Sequence, residues 1–385
     1  MIKVDTSCCS RFYIFDQARQ LQKKGLLNNI IHCHPNSHLK QFQIEINKSI
    51  NNPILGCLNY LGRYLPNFID NKLQKYITLE TDLFIKKTLI KKKNKPDVFI
   101  GLSSFITKTL EYCNQNNIVS IVDHGSLHPE YEKKVIIKEC NKISIDYKDF
   151  IAPDWQIQRM NLEFKKANKI IVLSDIAKKS MINLGVKEKK INILNCGVDS
   201  LFFKSKKIKK FDSFTIAFCG SLSPRKGVHN LIEAFKLANI SGSKLLIISA
   251  KGRSKDYNQY LKKISTKNVL FFGPVPQSNL SDVLSKCHLF VLPSLADGFG
   301  LVVLQAISSG LPVIVSSNVG AVDIIRQFGG GDIFQYDNIY ELAEKIINFY
   351  KIKKKSNYNF DLKHVIKNTT WDIYGNKLYS LINNL

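Results

Sequence analysis

One stretch limits the possible folds more than any other: the apolar run His288-Leu-Phe-Val-Leu292, the loop Pro293-Ser-Leu-Ala-Asp297-Gly298-Phe299-Gly300, and the segment from Leu301 to Ile307. The run is short and apolar enough for a buried strand. Leu301, Val302, Leu304 and Ile307 recur at helical spacing until Ser308-Ser-Gly310-Leu-Pro312 breaks the pattern. A strand passing through a glycine-rich loop into a helix start builds an anion site. The first amides of the helix lack intrahelical partners, and the macrodipole adds positive charge there. Gly298 and Gly300 remove side chains that would hold a phosphate away from those amides. Asp297 stands at the mouth, and Gln305, about two turns further on, offers a second polar group.

The same alternation runs through most of the chain. Ile2-Lys-Val4 reads as an opening strand, Phe15–Leu21 as an amphipathic helix and Ile30-Ile31 as a second strand. The order within residues 35–95 is not legible, although Leu79–Leu89 has a helical pattern. Strands follow at Asp97–Ile100, Ile118–Val122, Lys169–Leu173 and Lys190–Leu194, separated by helical segments. A basic connector, Lys204-Ser-Lys-Lys-Ile-Lys-Lys210, interrupts the series. It resumes with strands at Phe214–Cys219, Lys244–Ala250, Val269–Phe272, His288–Leu292 and Val313–Ser316. Such alternation predicts an α/β architecture of two Rossmann-like, doubly wound domains facing a cleft. The expected divisions are residues 1–203, a linker at 204–212, a second domain at 213–355, and a C-terminal helical segment at 356–385. In that tail Trp371, Tyr374, Leu378 and Leu381 fall on one face.

A second anion-binding loop, Gly220-Ser221-Leu-Ser-Pro-Arg225-Lys226-Gly227, follows the strand ending at Cys219 and precedes another helix. Arg225 and Lys226 add full positive charge, which can neutralise a diphosphate without a metal. The glycine spacing is not that of a Walker A loop. Both loops would lie at the carboxyl ends of strands, where doubly wound sheets bind ligands.

Together these motifs resemble the donor-binding domain of the retaining glycosyltransferases of family 4, which have the GT-B fold. The resemblance rests on Phe218–Val228, Gly273-Pro-Val and Leu292–Ile314, and extends to Ile170–Ser174, Ile193–Asp199 and the tail helix. Only residues 1–95 resemble the family weakly. The resemblance implies a nucleotide-diphospho-sugar as donor. It also implies a diphosphate held by Arg225, Lys226 and amides after Gly298, with Gly220, Ser221, Phe299, Gly300, Leu301, Val302 and Gln305 completing the donor site. The family places two glutamates eight positions apart; here they are Asp297 and Gln305, and Ser221 stands where many members carry an arginine. Gln305 can still donate to and accept from a ribose hydroxyl. The shorter Asp297 bears on which sugar fits. Thr6-Ser7-Cys8-Cys9-Ser10 stands in place of the family's glycine-rich loop after the first strand.

On the acceptor side, Asp123-His124-Gly125-Ser126-Leu127-His128 follows a strand end and should face the cleft. Asp297 and His124 are the catalytic candidates, with Gly125, Ser126 and His128 beside the acceptor. A histidine satisfied by neighbouring backbone is the alternative reading of His124 and His128. No metal is expected: His32-Cys33-His34 and His38 alternate across a strand and lack a partner cluster. No cofactor is expected beyond the donor substrate.

The net charge is +25, with lysines clustered at Lys86-Lys87 and Lys91–Lys93, Lys204–Lys210 and Lys351–Lys355. A solvated surface and a polyanionic or anionic-membrane partner remain open readings. Nucleic acid is not expected, since neither an aromatic-interleaved RNA motif nor zinc-finger spacing is present. The start shows no secretory signal, no run reaches membrane-spanning length, and the nine cysteines are scattered without a CxxC. The expectation is a cytoplasmic enzyme, with peripheral contact at the inner face of the membrane, acting on a glycan or lipid-linked acceptor in surface polysaccharide or lipopolysaccharide assembly. A catalytically silent scaffold of the same fold or polyanion-binding protein, and a nucleotide-sugar epimerase of that fold, are the alternatives. Oligomeric state is not legible.

Overall fold

The computed structural model describes residues 2–9, 13–62, 64–65, 67–199, 203, 208–354 and 361–385. Ser10 of the first loop, Lys204–Lys207 of the connector, Lys355 and residues 356–360 of the tail therefore lie outside the described residues, as does the side chain of His38.

The first sheet has seven strands: β1 (Val4–Cys8), β2 (Leu27–His32), β3 (Ser49–Asn51), β4 (Val98–Leu102), β5 (Val119–His124), β6 (Lys169–Val172) and β7 (Ile191–Ile193). They lie in the order β3-β2-β1-β4-β5-β6-β7, and every pairing is parallel. The second sheet has six: β8 (Thr215–Cys219), β9 (Lys244–Ile248), β10 (Val269–Phe271), β11 (Leu289–Leu292), β12 (Val313–Ser316) and β13 (Gly331–Phe334). Their order is β10-β9-β8-β11-β12-β13, again all parallel. The expected pair of doubly wound domains is present. Parallel strands need crossovers, and the helices covering both faces explain why β8 and β11 are apolar on both sides. Phe218 and Phe290 are fully buried there, each contributing about 1.5–3 kcal/mol.

In each sheet the order reverses direction once, between β1 and β4 and between β8 and β11. Loops diverge at such a switch point and leave a crevice at the strands' carboxyl ends. The strand-end loops after β4, β8 and β11 thus open toward the space between the sheets.

Two parts of the first domain differ from the sequence reading, whereas the break at Pro153 in the helical stretch Glu130–Ala167 agrees with it. β1 begins at Val4 and continues through Asp5, Thr6 and Ser7 to Cys8, so most of the expected first loop is strand. Asp5 and Thr6 are buried and partnered: Thr6 Oγ1 donates to Gln17 at 3.2 Å, and Asp5 accepts from Lys92 and from Asn28 at 2.8 Å. Residues 35–95 contain the helices Pro53–Gly62 and Asn67–Lys91, which pack on each other as a hairpin. The stretch Glu130–Ala167 is two helices, Pro129–Lys142 and Asp154–Lys166.

The tail is also two helices. Leu362–Lys367 stays on the second domain beside the Leu301–Ser308 helix, where Val365 is buried. Trp371–Asn383 crosses to the first domain and packs on the Ile14–Lys23 helix. Its Trp371, Tyr374 and Leu378 are buried, and Tyr13 stacks on Trp371 with centroids 6.3 Å apart. Gly375 lets the two helices approach closely: a Cβ there would meet the Gln20 side chain at 2.5 Å. All nine cysteines are free thiols, and seven are buried.

Candidate donor and acceptor cleft

The two anion loops of the second domain are knitted together. Leu295 N donates to Arg225 O at 2.8 Å, and the Arg225 guanidinium donates to Ala296 O at 2.7 Å. Gly227, with φ +65°, lets the chain turn into the Val228–Ala238 helix; a Cβ there would meet Pro293 O at 2.1 Å. Gly300, with φ +77°, does the same ahead of the Leu301–Ser308 helix. Neither helix has a side-chain cap at its start, and Leu301 and Val302 of the second line the adjoining space, so their amides can meet an anion.

Between these two loops and the first domain lies a cleft of about 1230 Å3. Gly220, Ser221, Arg225, Lys226, Asp297, Phe299, Gly300, Leu301, Val302 and Gln305 line its second-domain wall. His124, Gly125 and Ser126 line the opposite wall, with Ser103, Ser104 and Glu132. Phe299 contributes backbone only, since its side chain is 2% exposed and packed in the core.

Two sequence-predicted residues stand elsewhere. Gly298 is packed against the first domain: a Cβ would meet Gly125 O at 2.4 Å and Ser126 Cα at 2.5 Å. Its carbonyl accepts from Ser174 Oγ at 2.7 Å. Gly298 therefore sets the approach of the domains. His128 caps the Pro129–Lys142 helix, accepting from Glu130 N at 3.3 Å, and leans on Phe164.

His124 is buried with both ring nitrogens engaged. Nε2 lies 2.9 Å from Leu127 O, so it carries the proton and donates; Nδ1, 2.8 Å from Ser103 Oγ, accepts. Burial lowers its pKa to about 4, against the opposing pull of the Leu127 carbonyl. Near neutral pH it is an uncharged imidazole that fixes the loop. Asp123 points away from the cleft, toward Tyr13 and, at 2.6 Å, Gln17 Nε2. Gln17 in turn donates to Tyr374 Oη at 2.8 Å, linking β5 to the tail helix. Burial raises the Asp123 pKa to about 7, which the bonds from Tyr13 and Gln17 only partly offset.

The charges at the anion loops are balanced. Lys226 Nζ donates to Asp297 Oδ2. Burial works against the Asp297 carboxylate, but the Lys226 and Arg225 charges outweigh it and hold its pKa below the ordinary value. Arg225 Nη1 lies 3.9 Å from Glu132 Oε1. Burial raises the Glu132 pKa, with Arg225 and the hydroxyl of Ser126 opposing that only in part. Sequence reading missed Glu132, because it sits among the charges of a helix and its partner lies in the other domain. Sequence reading also missed Tyr13, Asp16 and Trp371, which line the cleft from the first helix and the tail.

His32, Cys33 and His34 do not converge. His32 Nε2 meets Ser49 Oγ at 2.9 Å while Cys33 is buried near Thr81. Among the described residues, no three His, Cys, Asp or Glu side chains form a group that could hold a metal.

The cleft adjoins a polar groove of about 330 Å3 in the first domain, lined by Asn59, Asp70, Gln74, Trp155 and Gln156 and closed by Arg253 of the second domain. The neighbouring Pro53–Gly62 and Asn67–Lys91 hairpin exposes Ile54, Tyr60, Leu61 and Tyr76. No helix of the described residues is long and apolar enough to cross a membrane.

Residues 200–360 match the family model Glycosyl transferases group 1. The chain is 29% identical over 213 residues to the capsular polysaccharide biosynthesis glycosyltransferase CapM of Staphylococcus aureus, covering 50% of this chain and 56% of CapM. It is 28% identical over 201 residues to N,N'-diacetylbacillosaminyl-diphospho-undecaprenol alpha-1,3-N-acetylgalactosaminyltransferase of Campylobacter jejuni, covering 48% and 52%. The chain spans about half the length of the curated relatives it matches. Among solved structures, HepE of Anabaena, in complex with UDP and glucose, superimposes with a TM-score of 0.68 at 16% identity, covering 100% of both chains. The architecture is that of the GT-B glycosyltransferases.

Proposed function

We propose that the protein is a retaining glycosyltransferase that moves a sugar from a nucleotide-diphospho-sugar to a hydroxyl of a glycan or lipid-linked acceptor. The observation that carries this reading is the convergence of the uncapped Leu301–Ser308 helix start with Arg225 and Lys226 at the switch point of the second sheet, facing the His124 loop. That arrangement stabilises charge developing on a leaving diphosphate, which is what sugar transfer most needs. In a same-face transfer the departing phosphate oxygen takes the acceptor's hydroxyl proton as the new glycosidic bond forms. Cations and amides supply the neutralisation, so the reading needs no divalent metal and no cofactor beyond the donor. Asp297, carried on the loop before Gly300, approaches the donor sugar, and Gln305 approaches the ribose.

The likeness to enzymes named for capsular polysaccharide and undecaprenol-linked glycan synthesis supports a place in surface-glycan assembly. The amide- and Trp155-lined groove suits further sugars of an acceptor: amides can pair with hydroxyls in both senses, and the indole offers an apolar face. The exposed aromatic and aliphatic hairpin, with Lys72, Lys75, Lys86 and Lys87 along it, suits peripheral contact with an anionic membrane from the cytoplasmic side.

Donor hydrolysis and transfer, measured with UDP-, GDP- and ADP-sugars, test the reading. One nucleotide class is expected to turn over, and Arg225→Ala or Lys226→Ala to lower kcat/KM by about 10- to 100-fold, the loss of a charge-assisted contact. Absence of binding to all three, with both variants unchanged, would overturn it. The substitution of Gln305 at the family's second acidic position favours one other reading, a silent polyanion-binding scaffold. Nucleotide binding without turnover, with salt-dependent polyanion binding, would mark that outcome.

A further inference from the structure

The anion site as it stands already holds its own counter-charges. Arg225 and Lys226 bring two positive charges; Asp297 and Glu132 bring two negative ones, with Lys226 bonded to Asp297 and Arg225 within 3.9 Å of Glu132. A diphosphate diester that takes these cations as partners arrives with two negative charges of its own. Asp297 and Glu132 would then share a water-poor crevice with a dianion, where like-charge repulsion is strong. The two carboxylates are not equally placed to yield. Asp297 contacts Lys226 directly, accepts from Ser294 Oγ at 3.4 Å and has both cations beside it. Glu132 has the more distant cation and one hydroxyl donor, Ser126, and its side chain is 20% exposed, within reach of solvent protons.

We propose that donor binding takes up one proton from solvent onto the carboxylate of Glu132, which then stands beside the diphosphate as a neutral hydrogen-bond donor. This rests on the donor site proposed above. Glu132 belongs to the first domain, so the uptake also ties donor binding to the contact between domains.

The groups facing Glu132 fix the direction of the linkage. From the second domain these are Arg225, Lys226 and Asp297; from its own loop, Ser126 and the Leu127 amide. Its helix neighbours turn elsewhere: Lys133 pairs with Asp154 at 2.6 Å, and Glu130 accepts from Asn161 at 2.7 Å. Burial raises the Glu132 pKa in the empty site, and replacing Arg225's attraction by diphosphate repulsion moves it further the same way. Asp297 is the other group able to gain a proton, since a diphosphate that engages Lys226 and Arg225 weakens the attraction that holds its pKa down.

The experiment is calorimetric titration of the full chain with UDP-glucose, GDP-mannose and ADP-glucose, in buffers of differing ionisation enthalpy. The diphosphates of these probes do not titrate between pH 6 and 8. The expected result is a net uptake of at least about 0.3 proton per donor at pH 7, with affinity weakening as pH rises toward 8.5. Glu132→Gln should bind with no uptake and a flat pH profile, while Glu132→Asp keeps the uptake. Matching melting temperatures show that each variant is folded. Binding without uptake, or uptake that persists in Glu132→Gln and so belongs to Asp297, would overturn the proposal. Failure of all three probes to bind would instead remove the donor site on which it rests.

Discussion

His124 and Asp123 are neighbours at the end of β5 with opposite responses to acid. The His124 pKa falls from 6.5 to about 4 through burial, so the unfolded chain binds its proton over the interval in which the folded chain does not. Its contribution to stability is therefore present above pH 6.5 and is lost as pH falls through 4. Asp123 runs the other way: with its pKa raised from 3.8 to about 7, it disfavours the fold as pH rises through that window. Replacing His124 by Gln removes only the first effect. Relative to the natural protein, that variant should gain about 2 kcal/mol between pH 7 and pH 4.5, read by urea unfolding at the two pH values. A constant difference would show that His124 does not titrate as its two occupied nitrogens imply. At this scale, sequence reading found the loop residues because glycines and cations mark them. It could not separate a histidine aimed at substrate from one satisfied by Ser103 and Leu127, because both partners depend on folding.

Elements differed in legibility for equally local reasons. The strand-loop-helix units at 214–228 and 288–308 were clear because apolar strands, positive-φ glycines and helix starts agree there. β1 reads as a loop in sequence because Thr6 and Ser7 are polar, yet the sheet buries both and Gln17 satisfies Thr6. The Asn67–Lys91 helix was obscured because apolar residues occur around it, including exposed Tyr76, Leu79 and Ile90. The tail segment was legible as an amphipathic helix, but not its division between two domains. Its second helix is a clasp: Trp371 and Tyr374 insert beside Tyr13 and Gln17. Trp371→Ala should cost about 3–5 kcal/mol, and Tyr374→Phe, which deletes only the bond to Gln17, about 1 kcal/mol. Equal losses in chemical denaturation would contradict the separation of packing from hydrogen bonding.

Across the whole molecule, the proposed function depends on surfaces that no single domain contains. Gly298 touches Gly125 and Ser126, Asn318 donates to Tyr131 at 3.1 Å, and His229 meets Glu139 at 2.6 Å, all across the cleft. Such pairings lie far apart in sequence, so they became visible only in the fold. They hold the His124 loop over the anion loops and put Glu132 beside Arg225. The most direct measurement is a crystal structure of the protein with a bound nucleotide sugar. The account predicts diphosphate density within about 3 Å of the Arg225 and Lys226 side chains and the amides at the Leu301–Ser308 helix start, with the sugar toward His124. Density at another surface, or a diphosphate that leaves the Lys226–Asp297 pair and Arg225 untouched, would contradict it.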